Sequence, residues 1–138
     1  MILLDTNVLI DFMDEEATDH KWALKQIEDA VTGEGGAVNA VAIAELCAGD
    51  RDPDSVPHEL SKLGLQLVDV PSAASSVCGK AYRRYKIARL NSGSTTPPGM
   101  PLPDFFIAAH AEIMGWTVST RDSARFETYF PSVKLLKP

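Results

Sequence analysis

The chain opens on a continuous apolar run, Met1-Ile2-Leu3-Leu4, that stops at Asp5. Successive side chains of a strand point to opposite faces, so an unbroken apolar run needs cover on both sides. A strand of that kind belongs inside a parallel sheet, whose crossover helices lie against both faces. The same constraint places Asp5 at the carboxyl end of the strand.

The rest of the chain supplies the helices and the further strands. After Asp19, a candidate N-cap, Ala23, Leu24, Ile27, Ala30 and Val31 recur at helical spacing until Gly33. Residues 36–41 suit a second strand, and Ala42 to Ala48, closed by Gly49, a helix with Glu45 in an early turn. A polar, proline-punctuated stretch and a short helix precede a third strand over 65–70 (LQLVDV), ended by Pro71. From Ala74, the positions Val77, Cys78, Ala81, Tyr82, Tyr85 and Ala88 keep a period near 3.6 and define one long helix. Its other side is basic, with Lys80, Arg83, Arg84, Lys86 and Arg89. Residues 91–103 (NSGSTTPPGMPLP) read as a loop, with a helix from Asp104 to Met114 after it. Residues 116–120 form a β-branched strand, 123–130 a short helix and 133–136 a last strand. This alternation predicts an α/β fold with right-handed crossovers and no internal repeat.

With 138 residues, 45% of them hydrophobic and 23% charged, the chain fits one compact domain spanning 1–138. No stretch reaches the roughly 18 to 20 apolar residues of a membrane span. Asp5 interrupts the first apolar run and no basic region precedes it, so it makes a poor secretory signal. The expectation is a soluble, cytoplasmic protein. Cys47 and Cys78 lack CxxC spacing and clustered histidines, which leaves them as core residues rather than zinc ligands or a disulfide. The net charge of −6 argues mildly against nucleic acid as a partner, although it is compatible with a local basic surface.

Ligands of open parallel sheets bind beyond the carboxyl ends of the strands, and the chain delivers acids to that edge repeatedly. Asp5 follows strand one, Glu45 lies in the helix after strand two, Asp104 opens a helix and Asp122 follows the strand ending at Thr120. Carboxylates gathered there repel one another unless a cation joins them. Hard oxygen donors select Mg²⁺ or Mn²⁺, ions suited to phosphodiester hydrolysis.

Four segments in order, DTNVLID at 5–11, AELCAG at 44–49, PDFFIAAHA at 103–111 and STRD at 119–122, resemble those of PIN-domain proteins, in particular the VapC-type toxins of toxin–antitoxin operons. The resemblance covers essentially the whole chain. It implies a three-layer α/β/α, Rossmann-like fold around a mainly parallel sheet of four to five strands. It also implies a Mg²⁺- or Mn²⁺-dependent endoribonuclease that forms a homodimer and is inhibited by a cognate antitoxin whose peptide covers the active site. DNA would be reached only through that antitoxin. By position, Asp5 and Asp104 match direct metal ligands, Glu45 the third acid and Asp122 the fourth. Asn7 and Thr120 match polar helpers.

Each of these residues also has a plainer role open to it. Asp5 can close an Asx turn or cap a helix, Asp104 and Asp122 can be caps, and Glu45 a solvated helix residue. Asp11, Asp14, Glu15 and Glu16 read as a solvated acidic surface, and His110 as a packing or surface residue. His20 and His58 have no partner pattern, and no serine or cysteine nucleophile is indicated. Trp22 and Trp116 fit the core or a dimer interface. Arg83 and Arg84 form either an RNA-guiding surface or an ordinary solvated face, while Arg121 and Arg125 lie nearer the presumed metal edge. Two other functions compete: a phosphatase of the haloacid-dehalogenase type, whose second acid would stand where this chain has Asn7, and a non-catalytic PIN-fold partner of a DNA-binding antitoxin.

Overall fold

The computed structural model describes residues 1–94 and 102–138. Strand β1 (Ile2–Leu4) leads into helices α1 (Thr6–Met13) and α2 (His20–Thr32), then β2 (Gly36–Asn39), α3 (Ala40–Gly49), a 3-10 turn (Pro53–Ser55), α4 (Val56–Lys62) and β3 (Gln66–Val68). Helices α5 (Ala74–Asn91) and α6 (Leu102–Met114) follow, then β4 (Thr117–Ser119), α7 (Ser123–Tyr129) and β5 (Leu135–Leu136). The five strands form one sheet in the order β3-β2-β1-β4-β5, every pairing parallel. Strand β1 is central, and Leu3 and Leu4 are fully buried, as an apolar run that needs two-sided cover demands.

The strand order decides where ligands can enter. From β1 the chain steps outward through β2 to β3, then crosses to the other side of β1 for β4 and β5. Right-handed crossovers put α1 to α4 on one face and α5 to α7 on the other, giving three layers. The connections leaving β1 and β4 therefore part in opposite directions, which opens a crevice at their carboxyl ends. Register fixes its floor: Leu4 pairs with Ser119, so Asp5 and Thr120 emerge side by side.

Local chemistry moves several boundaries away from the sequence expectation. Strand β2 stops at Asn39 because that side chain accepts the Ala42 amide at 3.0 Å and caps α3 two residues early, which places Glu45 in the second turn. Helix α6 begins at Leu102, so Asp104 lies inside the first turn. Leu24 and Val31, expected on the buried stripe of α2, stand on its exposed flank, leaving Ala23, Ile27 and Ala30 to pack. Residues 95–101 of the expected 91–103 loop lie outside the described residues, and α5 takes in Asn91. The turns into β3 and β4 pass through Gly64 and Gly115 at φ +87° and +66°, and a Cβ on Gly64 would meet Val31 Cγ1 at 2.9 Å. Among the described residues no helix is long and apolar enough to cross a membrane.

Helix α6 is anchored by an aromatic cluster. Phe105, fully buried and next to Asp104, lies with its ring centroid 5.4 Å from that of Tyr82, 5.5 Å from Tyr85, 5.6 Å from Tyr129 and 5.7 Å from Phe130. That packing ties α6 to α5, to α7 and to the segment beyond it. Phe105→Ala is expected to lower stability by about 3 to 5 kcal/mol, through lost burial and the cavity left behind; a urea unfolding midpoint that does not move would contradict this role for the ring.

Candidate active site

The crevice between β1 and β4 is built around Asp5. Its backbone amide donates to Ser119 O at 3.0 Å, extending the β1–β4 pairing by one rung. One carboxylate oxygen, Oδ1, accepts the Thr6 amide at 2.7 Å, which caps α1. The other, Oδ2, accepts the Thr120 hydroxyl at 2.7 Å and the Asn7 side-chain amide at 2.8 Å. Asn7 in turn lies 3.2 Å from Thr120 Oγ1 and accepts the Arg121 amide at 3.2 Å through Oδ1. Thr120 Oγ1 also accepts the Asp122 amide at 3.1 Å. The DTN segment after β1 and the TRD segment after β4 are thus one hydrogen-bonded unit, and capping is only part of what Asp5 does.

The other acids reach this unit by different routes. Thr6 donates its hydroxyl to Glu45 Oε1 at 2.8 Å, bridging α1 to α3 and leaving Glu45 half-buried rather than solvated. Asp122 stands at the N-cap position of α7, yet its side chain makes no capping bond and half of it is exposed. Arg125 lies between two acids, with Nη1 3.8 Å from Asp104 Oδ2 and 3.9 Å from Asp122 Oδ2.

Proton affinities report how closely these carboxylates sense one another. Burial pushes Asp5 above the usual carboxylate range, Glu45 and Asp122 push it further, and the bonds from Thr120 and Thr6 hold it back. Asp104 is pushed up to about 6, first by burial, then by Asp5 and Glu45, with Asp122 adding a little and Arg125 partly offsetting the rise. Four acids therefore share one field, although among the described residues no three acids, histidines or cysteines stand close enough to enclose an ion. The donor set is nonetheless all oxygen, the chemistry of Mg²⁺ and Mn²⁺, and a cation there would relieve the repulsion that raises Asp5 and Asp104. In donor chemistry, though not in the spacing seen here, these residues suit such an ion.

The expected basic residues divide. Arg121 Nη1 holds Asp11 Oδ1 at 3.0 Å, and Asp11 is buried rather than part of a solvated acidic surface, the correction here to the sequence reading. A lone acid within the apolar stretch NVLIDFM was the available signal. Arg84 is exposed and donates to Tyr129 O at 3.1 Å, and Arg83 is exposed on α5; neither makes an ion pair with the four acids. His110 is a buried packing residue, 3.3 Å from Asn39 Nδ2 and with its ring 5.2 Å from that of Trp116. Sequence reasoning missed Thr6, the bridge to Glu45, for which no pattern beyond its place after Asp5 gave notice.

Comparison with known families settles which fold this is. Residues 2–130 match the model of the PIN domain. The chain belongs to the PIN-domain family. Solved structures resemble it over nearly their whole lengths. The FitAcB structure from Neisseria gonorrhoeae has a TM-score of 0.68 at 23% identity, covering 100% of this chain and 98% of that one. VapBC2 from Rickettsia felis, bound to a promoter DNA fragment, has a TM-score of 0.64 at 19% identity, with 99% and 98% covered. VapC20 of Mycobacterium tuberculosis, described as a toxin cleaving the sarcin–ricin loop, has a TM-score of 0.63 at 12% identity, with 97% and 99% covered. Among curated protein sequences nothing matches.

The raised Asp104 carries a pH signature in the metal-free PIN domain. Its carboxyl binds a proton more readily folded, with a pKa of about 6, than unfolded at 3.8, so this group lowers stability as pH rises through that window. Asp104→Asn is therefore expected to raise the melting temperature of the metal-free protein at pH 7.5 by roughly 3 to 8 °C, with the gain vanishing near pH 4. A lower melting temperature for the variant at pH 7.5 would contradict the electrostatic reading.

Proposed function

We propose that this PIN-domain protein is a Mg²⁺- or Mn²⁺-dependent endoribonuclease acting as the toxin of a VapBC-type toxin–antitoxin pair. The observation that carries the reading is the shared field of Asp5, Glu45, Asp104 and Asp122 at the sheet's switch point, where two of the four acids are held above the usual carboxylate range. A solved structure described as a toxin–antitoxin complex, from Klebsiella pneumoniae, and VapC20, described as a sarcin–ricin loop cleaving toxin, support it.

In this reading Asp5 and Asp104 hold the ion, with Glu45 and Asp122 completing the acidic wall. When bound, Mg²⁺ or Mn²⁺ supplies a Lewis acid at the scissile phosphate and lowers the pKa of water. The residues around it orient: Thr6 and Thr120 fix the two oxygens of Asp5, Asn7 steadies the same carboxylate, and Thr6 aims Glu45. Arg121 and Arg125 at the rim, with Arg83 and Arg84 further along, guide the phosphate backbone of a single-stranded RNA. A cognate antitoxin is the expected partner, with a peptide segment that covers the active site. A homodimer is the expected assembly.

The test is cleavage of a mixed cellular RNA pool by purified protein with Mg²⁺, with Mn²⁺ and with EDTA. Discrete cuts should appear with either metal, vanish in EDTA and be absent from Asp5→Asn, while Thr120→Val slows them by about 10- to 100-fold. Undiminished cleavage by Asp5→Asn would overturn the assignment.

A further inference from the structure

We propose that Arg125 is a displaceable counterion that stands in the acidic site between Asp104 and Asp122 until the metal takes its place, and then turns outward to an RNA phosphate. The inference rests on the metal-dependent reading above and adds to it a competition between a residue of this chain and the ion.

Two arginines of the site are held in different ways. Arg121 meets Asp11 at 3.0 Å, and Asp11 is buried, so that ion pair is close and its acid is kept from water. Arg125 meets Asp104 at 3.8 Å and Asp122 at 3.9 Å, both beyond the ~2.7 to 3.2 Å of a hydrogen bond, and its side chain is 39% exposed. It is attracted without being locked, and water can solvate it once it leaves. Among the described residues it is the only cation within 4 Å of the four acids.

Its place on the helix is otherwise unfavourable. Arg125 is the third residue of α7, close to the positive end of the helix dipole, where a cation is repelled. What compensates is the pair of carboxylates it faces, neither of which has another ion-pair partner among the described residues. Asp122 is free to face it because its side chain does not cap α7. A divalent ion bound by these acids would remove that compensation and add repulsion at short range, so the guanidinium would swing toward solvent, where phosphate oxygens accept its planar donors.

Reciprocity then links the two ligands: RNA that draws Arg125 outward strengthens metal binding, and metal that expels Arg125 strengthens RNA binding. The ion would be held loosely by the free protein and more firmly with substrate present.

Calorimetric titration of the full chain with Mn²⁺, comparing wild type, Arg125→Gln, Arg125→Lys and Asp5→Asn, tests this without RNA. Arg125→Gln should bind Mn²⁺ roughly three- to tenfold more tightly than wild type, Arg125→Lys close to wild type, and Asp5→Asn more weakly. In cleavage, Arg125→Gln should raise the RNA KM several-fold with little change in kcat at saturating metal, a combination that simple loss of fold would not give. Binding that Asp5→Asn weakens but Arg125→Gln leaves unchanged or weakens would overturn the counterion role while leaving the metal reading intact. Absence of Asp5-sensitive binding in every variant would overturn both.

Discussion

The Thr120 hydroxyl on Asp5 Oδ2, at 2.7 Å, is the contact on which the site depends. It joins the ends of two neighbouring parallel strands that are 115 residues apart in sequence. Through the same oxygen of Thr120, Asn7 and the Asp122 amide are held, so the two segments that follow β1 and β4 share one small hydroxyl. Parallel pairing of β1 with β4 makes this possible, because it brings both carboxyl ends to the same edge of the sheet. Had the pair been antiparallel, Asp5 and Thr120 would lie at opposite ends.

The site is held together against its own electrostatics. Asp5 is almost completely buried and Asp104 partly so; Asp5 and Glu45 raise the affinity of Asp104 for a proton, while Glu45 and Asp122 raise that of Asp5. Hydrogen bonds from Thr6, Asn7 and Thr120 offset the burial of Asp5, whereas the ion-pair partner of Asp104 among the described residues is the distant guanidinium of Arg125. Such a cluster costs stability in the metal-free state, a cost that functional sites commonly carry. Anchoring must come from elsewhere, and the aromatic cluster around Phe105 and the capped start of α3 at Asn39 supply it on the two faces of the sheet.

The architecture was legible in the sequence because its signals are local. Apolar and β-branched runs and 3.6-residue periodicity located all five strands and the α-helices other than α1, whose stretch after Asp5 was not read as a helix, and the four acids were visible as residues delivered to the carboxyl edge of the sheet. Boundaries were less legible where a side chain competes with the ladder: Asn39 leaves β2 to cap α3, and α6 takes in two residues before Asp104. What the sequence could not convey were contacts between distant segments. The burial of Asp11 depends on Arg121, 110 positions later, and the orientation of Glu45 on Thr6, 39 positions earlier. No spacing rule encodes either pair, since both arise from how α1 lies against its neighbours.

The central claim is that these acids close on one divalent ion at the β1–β4 junction. Anomalous diffraction from crystals grown with Mn²⁺ tests it most directly. The account predicts a peak between Asp5 and Asp104, with carboxylate oxygens at roughly 2.0 to 2.3 Å, near the Mg²⁺ coordination range. A fully occupied Mn²⁺ site elsewhere, with no density at this junction, would contradict it.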